Sequence, residues 1–330
     1  MRSTRRSDYA AAAGFLAPNL VGFVVFTAGP VLFSLVVSLS NWNLQRTVPF
    51  RWIALDNFTA LAHNSEFWLY VINTIYLMLG IPLAIAGSLV LALLLNQPLR
   101  GVTFYRTIFY LPSITSGVAL MILWKALYNP EFGPINAGIN WALHHLHVND
   151  LLGALGISPA RAPQWLLSTR NLLGLEVERV GLTSRQWGVG ARDAIVVMGI
   201  WIAIGGNNML LYMAALGNVP RDLLEAASID GASRWQMFRN VTWPQLAPTT
   251  FFIVVMSFIG GLQGGFEQGR IMTGNGGPAG TTTTLTAYIY NKGFEEFQIG
   301  YASAVAWVVF VAIFAVTLLH WRYGNSGETE

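Results

Sequence analysis

Val71-Ile-Asn-Thr-Ile-Tyr-Leu-Met-Leu-Gly-Ile-Pro-Leu-Ala-Ile-Ala-Gly-Ser-Leu-Val-Leu-Ala-Leu-Leu-Leu95 carries no charged residue and is long enough to cross a bilayer as a helix. The hydrocarbon core is about 30 Å thick and a helix rises about 1.5 Å per residue, so a span needs about 20 mostly apolar residues. Working outward, residues 14–39, 108–127, 194–216, 249–266 and 299–319 pass the same test. The sequence therefore predicts an all-α, polytopic membrane protein with six transmembrane helices.

Composition agrees. The chain is 54% hydrophobic and 11% charged, with mean hydropathy +0.49, whereas soluble domains carry roughly a quarter charged residues. The net charge of +3 comes from basic residues scattered between apolar runs, which is no nucleic-acid footprint. Without cysteine there is no disulfide framework, thiol catalysis or Cys-based metal site.

Arg2, Arg5 and Arg6 precede the first apolar run, which is too long for a cleaved signal peptide and reads as an uncleaved signal-anchor. Basic residues resist translocation and so fix orientation. Arg2, Arg5, Arg6, Arg100, Arg106, Arg221, Arg234, Arg239 and Arg322 fall on one side; Arg46, Arg51, Arg270 and Lys292 fall in the short loops opposite. Both termini are thus expected in the cytoplasm: a cytoplasmic N-terminus over 1–13, a membrane domain over 14–322 and a cytoplasmic tail over 323–330. Residues 129–193 form a long external loop with amphipathic pieces at 141–147 and 164–173. His144, His145 and His147 within it point to different helix faces, and no metal site is expected there.

The loop over about 218–248 carries most information. It contains Asn218-Val-Pro-Arg-Asp-Leu-Leu-Glu-Ala-Ala-Ser-Ile-Asp-Gly-Ala-Ser-Arg-Trp-Gln-Met-Phe-Arg-Asn-Val-Thr-Trp-Pro244, far longer than a tight connector requires. It reads as two short helices. Pro220 suits the first turn of one, and Leu223, Leu224, Ala227 and Ile229 give it an apolar face. Gly231 permits the left-handed residue that ends it. Asp230 or Ser233 caps the second helix, which is expected to stop before Pro244. A short helix with small side chains and a sharp Gly stop suits docking into a groove on another protein; an interfacial helix on lipid headgroups is the alternative.

Here the chain resembles the membrane subunits of binding-protein-dependent ABC importers. Their mark is Glu-Ala-Ala, three residues, Gly, nine residues, then Ile-x-Leu-Pro. Glu225-Ala226-Ala227, Gly231 and Pro244 fall at that spacing, with Val241 and Trp243 in place of Ile and Leu. The resemblance extends from about Phe15 to Arg322 and narrows toward carbohydrate and glycerol-phosphate permeases similar to the maltose-transporter subunit MalF. Asn57-Phe58, Asn73-Thr74, Tyr105-Arg106-Thr107, Leu111-Pro112, Gly133 with Asn136, Gly276-Gly277-Pro278, Thr282, Leu285, Tyr290, Phe294 and Gly300-Tyr301-Ala302-Ser303-Ala304 carry it. Two departures stand out: a longer segment between the third and fourth spans, and Met272-Thr-Gly-Asn-Gly-Gly-Pro278 where the family writes Leu-Thr-x-Gly-Gly-Pro.

The resemblance implies a MalF-like type I importer fold in a bacterial or archaeal cytoplasmic membrane. It also implies a second homologous permease subunit, a cytoplasmic P-loop ATPase dimer that binds ATP and Mg, and an extracytoplasmic substrate-binding protein. Glu225, Ala226, Ala227, Asp230, Gly231 and Pro244 would then couple to the ATPase. Neither Lys125 nor Lys292 follows a Gly, so no phosphate-cradling P-loop lies on this chain. It is expected to be a transport subunit without an enzyme activity or cofactor of its own.

Polar groups at membrane depth are costly unless they face a cavity or a neighbouring helix. They nominate Asn207, Asn208 and Tyr212 in the fourth span and Ser257, Gln263 and Glu267 in the fifth as a substrate pathway. Amides and aromatic faces suit a neutral di- or oligosaccharide. No span carries a central Arg for an anion such as glycerol phosphate. An ion-coupled secondary transporter is the competing class, and it would call for intramembrane carboxylates or histidines that the spans lack apart from Glu267.

Overall fold

The computed structural model describes residues 2–98, 100–156, 158–175 and 187–324. Among these residues five helices are long and apolar enough to span a membrane: Ala11–Ser38, Ser65–Leu95, Ala191–Gly217, Arg234–Gln263 and Ile299–Leu319. Val102–Ile114 and Gly117–Leu127, bent by 97° where they meet, make the sixth. Among the described residues there is no β-strand, only isolated bridges at Ser40–Trp52 and Asn171–Trp187. The all-α, six-span expectation holds.

The chain divides into two compact units, residues 1–67 with 288–312 and residues 68–287 with 313–330. In the first, the amide of Asn57 donates to the carbonyls of Ser38 at 2.7 Å and Ser40 at 2.9 Å, which satisfies the open C-terminus of the first span. Gly300 lies against the same turn, where a Cβ would stand 2.1 Å from the Ser40 carbonyl oxygen. Trp307 Nε1 donates to Ser34 Oγ at 3.1 Å, joining the first and last spans.

In the second unit the fourth span packs along the second. Small residues let the backbones approach, as is usual in membranes. A Cβ on Gly80 would touch Ile200 at 3.0 Å and one on Gly87 would meet Ile204 at 2.7 Å. Next to Gly87, Ser88 Oγ donates across the interface to the Ala203 carbonyl at 3.1 Å. Leu91, Ala92 and Leu95 continue this contact into a core with Met209, Tyr212, Leu216, Leu246 and Ile253.

Four details differ from the sequence expectation, each through backbone chemistry that hydropathy does not register. The third span, expected as one helix over 108–127, breaks at Thr115–Ser116, both extended. Ser113 Oγ and Thr115 Oγ1 donate back to the Tyr110 and Leu111 carbonyls at 2.7 and 2.9 Å, on the last turn before the break. The fifth span ends at Gln263 rather than Phe266, because Gly265 takes φ +87° and starts a new helix, Phe266–Thr273.

The second loop helix does not stop before Pro244; it runs on from Arg234 into the fifth span. Proline lacks an N–H and its ring crowds the carbonyl four residues back, and a π-helical turn over Phe238–Thr242 widens the helix just ahead of it. Pro30 follows the π turn Val24–Ala28 in the same way. In the external loop, the piece expected at 141–147 belongs to a longer helix, Pro134–His145, with Val148–Ala154 after it. The piece at 164–173 is only the turn Trp165–Leu167. Asn136 explains this arrangement: it donates to the Pro163 carbonyl at 3.1 Å and accepts from Trp165 Nε1 at 2.7 Å, tying the loop to itself.

Candidate functional site

Three spans are interrupted by non-helical backbone. The third turns at Thr115–Ser116. The fourth is interrupted at Gly205–Gly206, between helices Ala191–Ile204 and Asn207–Gly217. The fifth stops at Gly264–Gly265. Irregular backbone is tolerated at membrane depth only where it is buried in protein or lines a cavity. All three breaks border one cavity of about 560 Å³, lined among others by Ser113, Thr115, Asn208, Ser257, Gly264 and Gln268. No charged side chain is among its described lining residues.

The loop after the fourth span forms a helix over Arg221–Ile229, entered through Pro220. Glu225 and Ala226 are exposed, Ala227 is half-buried and Ile229 is 86% exposed. The helix ends in a Schellman turn: Gly231 takes φ +76°, its N–H donates to Ser228 at 3.1 Å, and the Ala232 N–H reaches Ala227 at 3.0 Å. Ser233, rather than Asp230, caps the next helix, in a reciprocal box with Gln236 (2.8 and 3.4 Å). An amphipathic, exposed helix thus leads, through the turn at Gly231 and the helix that starts at Arg234, into a span that lines the cavity.

The family model described as "Binding-protein-dependent transport system inner membrane component" matches residues 37–323. The chain belongs to that family. The permease is 34% identical to the probable ABC transporter permease protein YesP of Bacillus subtilis, over 98% of this chain and 95% of the relative. It is 33% identical to the lactose transport system permease protein LacF of Rhizobium radiobacter, over 92% and 91%. A crystal structure of a bacterial ABC transporter involved in import of the acidic polysaccharide alginate shares the fold, with TM-score 0.72, 23% identity and full coverage of both chains. The permease is therefore a multi-pass inner-membrane transport subunit of MalF-like type I architecture.

Of the nominated pathway residues, Asn208 and Ser257 line the cavity together. Asn207 is exposed and accepts a long bond, 3.5 Å, from the Tyr110 hydroxyl. Tyr212 is fully buried in the core formed with Leu91, Leu246 and Ile253. Gln263 is exposed, its carbonyl taken by Thr286 Oγ1 at 3.0 Å. Glu267 is exposed on the short helix beyond the fifth span and lies near Gly117. Sequence reading missed Ser113, Thr115 and Gln268; the hydroxyls clustered after Pro112 were the available signal.

It also missed a buried polar cluster in the second unit. The fourth span begins at Ala191, three residues earlier than expected, which brings Arg192 and Asp193 into it at 1% and 3% exposure. Arg192 donates to Asn73 Oδ1 from Nε at 3.0 Å and from Nη2 at 2.6 Å, and from Nε to the Thr281 carbonyl at 3.0 Å. Asn73 Nδ2 in turn donates to the carbonyls of Gly280 at 2.8 Å and Thr283 at 2.9 Å. Tyr76 donates its hydroxyl to Asp193, which also accepts from the Gly190 N–H at 2.9 Å.

The loop they hold is strained. Ala279 sits at φ +53°, where an L side chain costs roughly 1–2 kcal/mol. Ala279→Gly is therefore expected to raise the melting temperature of the purified permease by roughly 2–4 °C, read by thermal denaturation in detergent.

Proposed function

We propose that the permease carries a neutral di- or oligosaccharide into the cell by alternating access, driven by ATP hydrolysis on a separate chain. The observation that carries this reading is the cavity at the three helix breaks: hydroxyls and amides of Ser113, Thr115, Asn208, Ser257 and Gln268, with no charge among the described lining. Such groups pair with sugar hydroxyls and bring no cation to neutralise an anionic substrate. Relatives named for lactose and arabinooligosaccharides support the substrate class.

On this reading an extracytoplasmic binding protein delivers the sugar, and a second, homologous permease completes the path. A cytoplasmic P-loop ATPase dimer holds ATP and Mg. Both termini are cytoplasmic, and the permease itself has no enzyme activity. The helix of Glu225, Ala226 and Ala227, with its stop at Asp230 and Gly231, seats in the ATPase; Pro244 lies where its motion enters the fifth span. Asn207, Gln263 and Glu267, all exposed, complete the proposed pathway by facing the second permease, whereas Tyr212 lies in the core and only supports it.

Affinity purification from the native membrane in mild detergent, with mass spectrometry and an ATPase assay, tests this reading. Recovery of a P-loop ATPase and a second permease supports it; a chain reproducibly alone and without ATPase activity overturns it. Within the complex, Asn208→Leu removes an amide contact worth about 1.5 kcal/mol. Import at limiting sugar is expected to fall roughly tenfold, with unchanged basal ATPase.

A further inference from the structure

We propose that Arg192 is a positioning residue for transport: it latches the 274–284 loop against the cavity wall, and its release from Asn73 and the Thr281 carbonyl is part of opening the cavity to the external side. The inference rests on the reading of the permease as an importer subunit. It is carried by four observations made within the second unit.

First, the loop is held in a conformation it would not keep alone. Asn275 at φ +54° and Ala279 at φ +53° carry side chains in the left-handed region, which the glycines around them adopt freely. Strain of this kind persists only where the surroundings over-determine it. The surroundings here are chiefly Arg192 and Asn73, which together take the carbonyls of Gly280, Thr281 and Thr283.

Second, the loop packs against the segment that lines the cavity. Gly264, Gly265 and Gln268 line it. A Cβ on Gly265 would stand 2.2 Å from Thr284 Cγ2, and one on Gly269 would stand 2.8 Å from the Thr282 carbonyl oxygen. Thr286 Oγ1 bonds the Gln263 carbonyl at 3.0 Å, and the Gly276 N–H bonds that of Gly269 at 3.3 Å. Displacing the loop therefore moves the segment that ends the fifth span at the cavity.

Third, the latch sits about one helical turn from the cavity on two further walls. Asn73 precedes the lining residue Leu77 on the second span, and Arg192 precedes the lining residue Ile195 on the fourth. One guanidinium thus ties together the same three elements whose separation would open that end.

Fourth, the network is incomplete. Arg192 Nη1 is buried without a hydrogen-bond partner among the described residues. A partly satisfied buried network is costly, which suits a contact that must break and re-form better than one that only braces the fold.

The absence of cysteine makes a direct test possible. Ser257→Cys places one thiol in the cavity, and a membrane-impermeant maleimide added outside right-side-out vesicles of the full complex reads external access at rest. Arg192→Gln is expected to speed labelling at least tenfold. Arg192→Lys keeps the charge but cannot reach both acceptors, and should give an intermediate rate. Leu216→Ala, a cavity in the core away from the loop, controls for general loosening and should label at background.

Background labelling of both Arg192 variants, or equal acceleration in Leu216→Ala, overturns the latch. Should Arg192→Gln not reach the membrane, the comparison of Arg192→Lys with Leu216→Ala decides in the same way. Failure of the importer reading shows separately, as a complex with no ATPase when unsubstituted.

Discussion

Gly205→Ala is expected to lower the melting temperature of the permease in detergent by roughly 6–12 °C, equivalent to about 3 kcal/mol or more. A Cβ at Gly205 would stand 2.0 Å from the Phe109 carbonyl oxygen and 2.8 Å from its carbon. The obstacle is backbone, not a side chain that can rotate away. The first half of the third span must move off the fourth at the fourth span's break. Gly199→Ala is the matched control on the same span, because its Cβ would have nothing within 4 Å. It should be neutral or slightly stabilising, since alanine is the better helix former by roughly 0.5–1 kcal/mol. Equal melting temperatures for the two variants would mean that the spans do not approach at Gly205.

The second large effect is on coupling. Gly231→Val is expected to reduce sugar import at least tenfold while the complex still assembles and hydrolyses ATP. The residue adopts φ +76°, and its Cβ would meet nothing within 4 Å. Nothing is crushed, so the spans keep their packing. The cost of about 1–2 kcal/mol falls on the backbone of the turn, and a β-branched residue relaxes it by unwinding the end of the Arg221–Ile229 helix. The segment proposed to transmit the ATPase stroke then gives way. Gly231→Asn, which tolerates the left-handed region, should retain most import. The ratio of ATP hydrolysed to sugar moved is the quantity to measure. Normal import by Gly231→Val would remove this turn from the coupling path.

The spans, the loop after the fourth of them and the family were legible in the sequence for local reasons. A run such as Val71–Leu95 has one compatible solvent, and its length then fixes its conformation. Gly231 and Ser233 end and start helices through bonds to residues three to five positions away, so their roles could be read from spacing. Asn208 and Ser257 were found because polar groups in an apolar run need a destination.

What escaped the sequence depended on contacts between distant segments. Hydropathy counts apolar residues without regard to where the helical bond ladder stops, so Thr115–Ser116 and Gly264–Gly265 read as parts of continuous spans. Tyr212 and Asn208 stand four residues apart on one helix, yet one is buried in the core and the other lines the cavity. Which does which depends on where Leu246 and Ile253 of the fifth span pack. Arg192 passed as one more arginine in a long external loop; its partners Asn73 and Thr281 lie 119 and 89 residues away in the chain. The sequence by itself determined that this protein lives in a bilayer, how many times it crosses and which loop carries the Glu-Ala-Ala signature, because water exclusion and local hydrogen bonding act residue by residue. Only the tertiary structure decided where the spans break and which polar groups are buried and paired, because a backbone group freed at membrane depth must find its partner wherever the fold brings one.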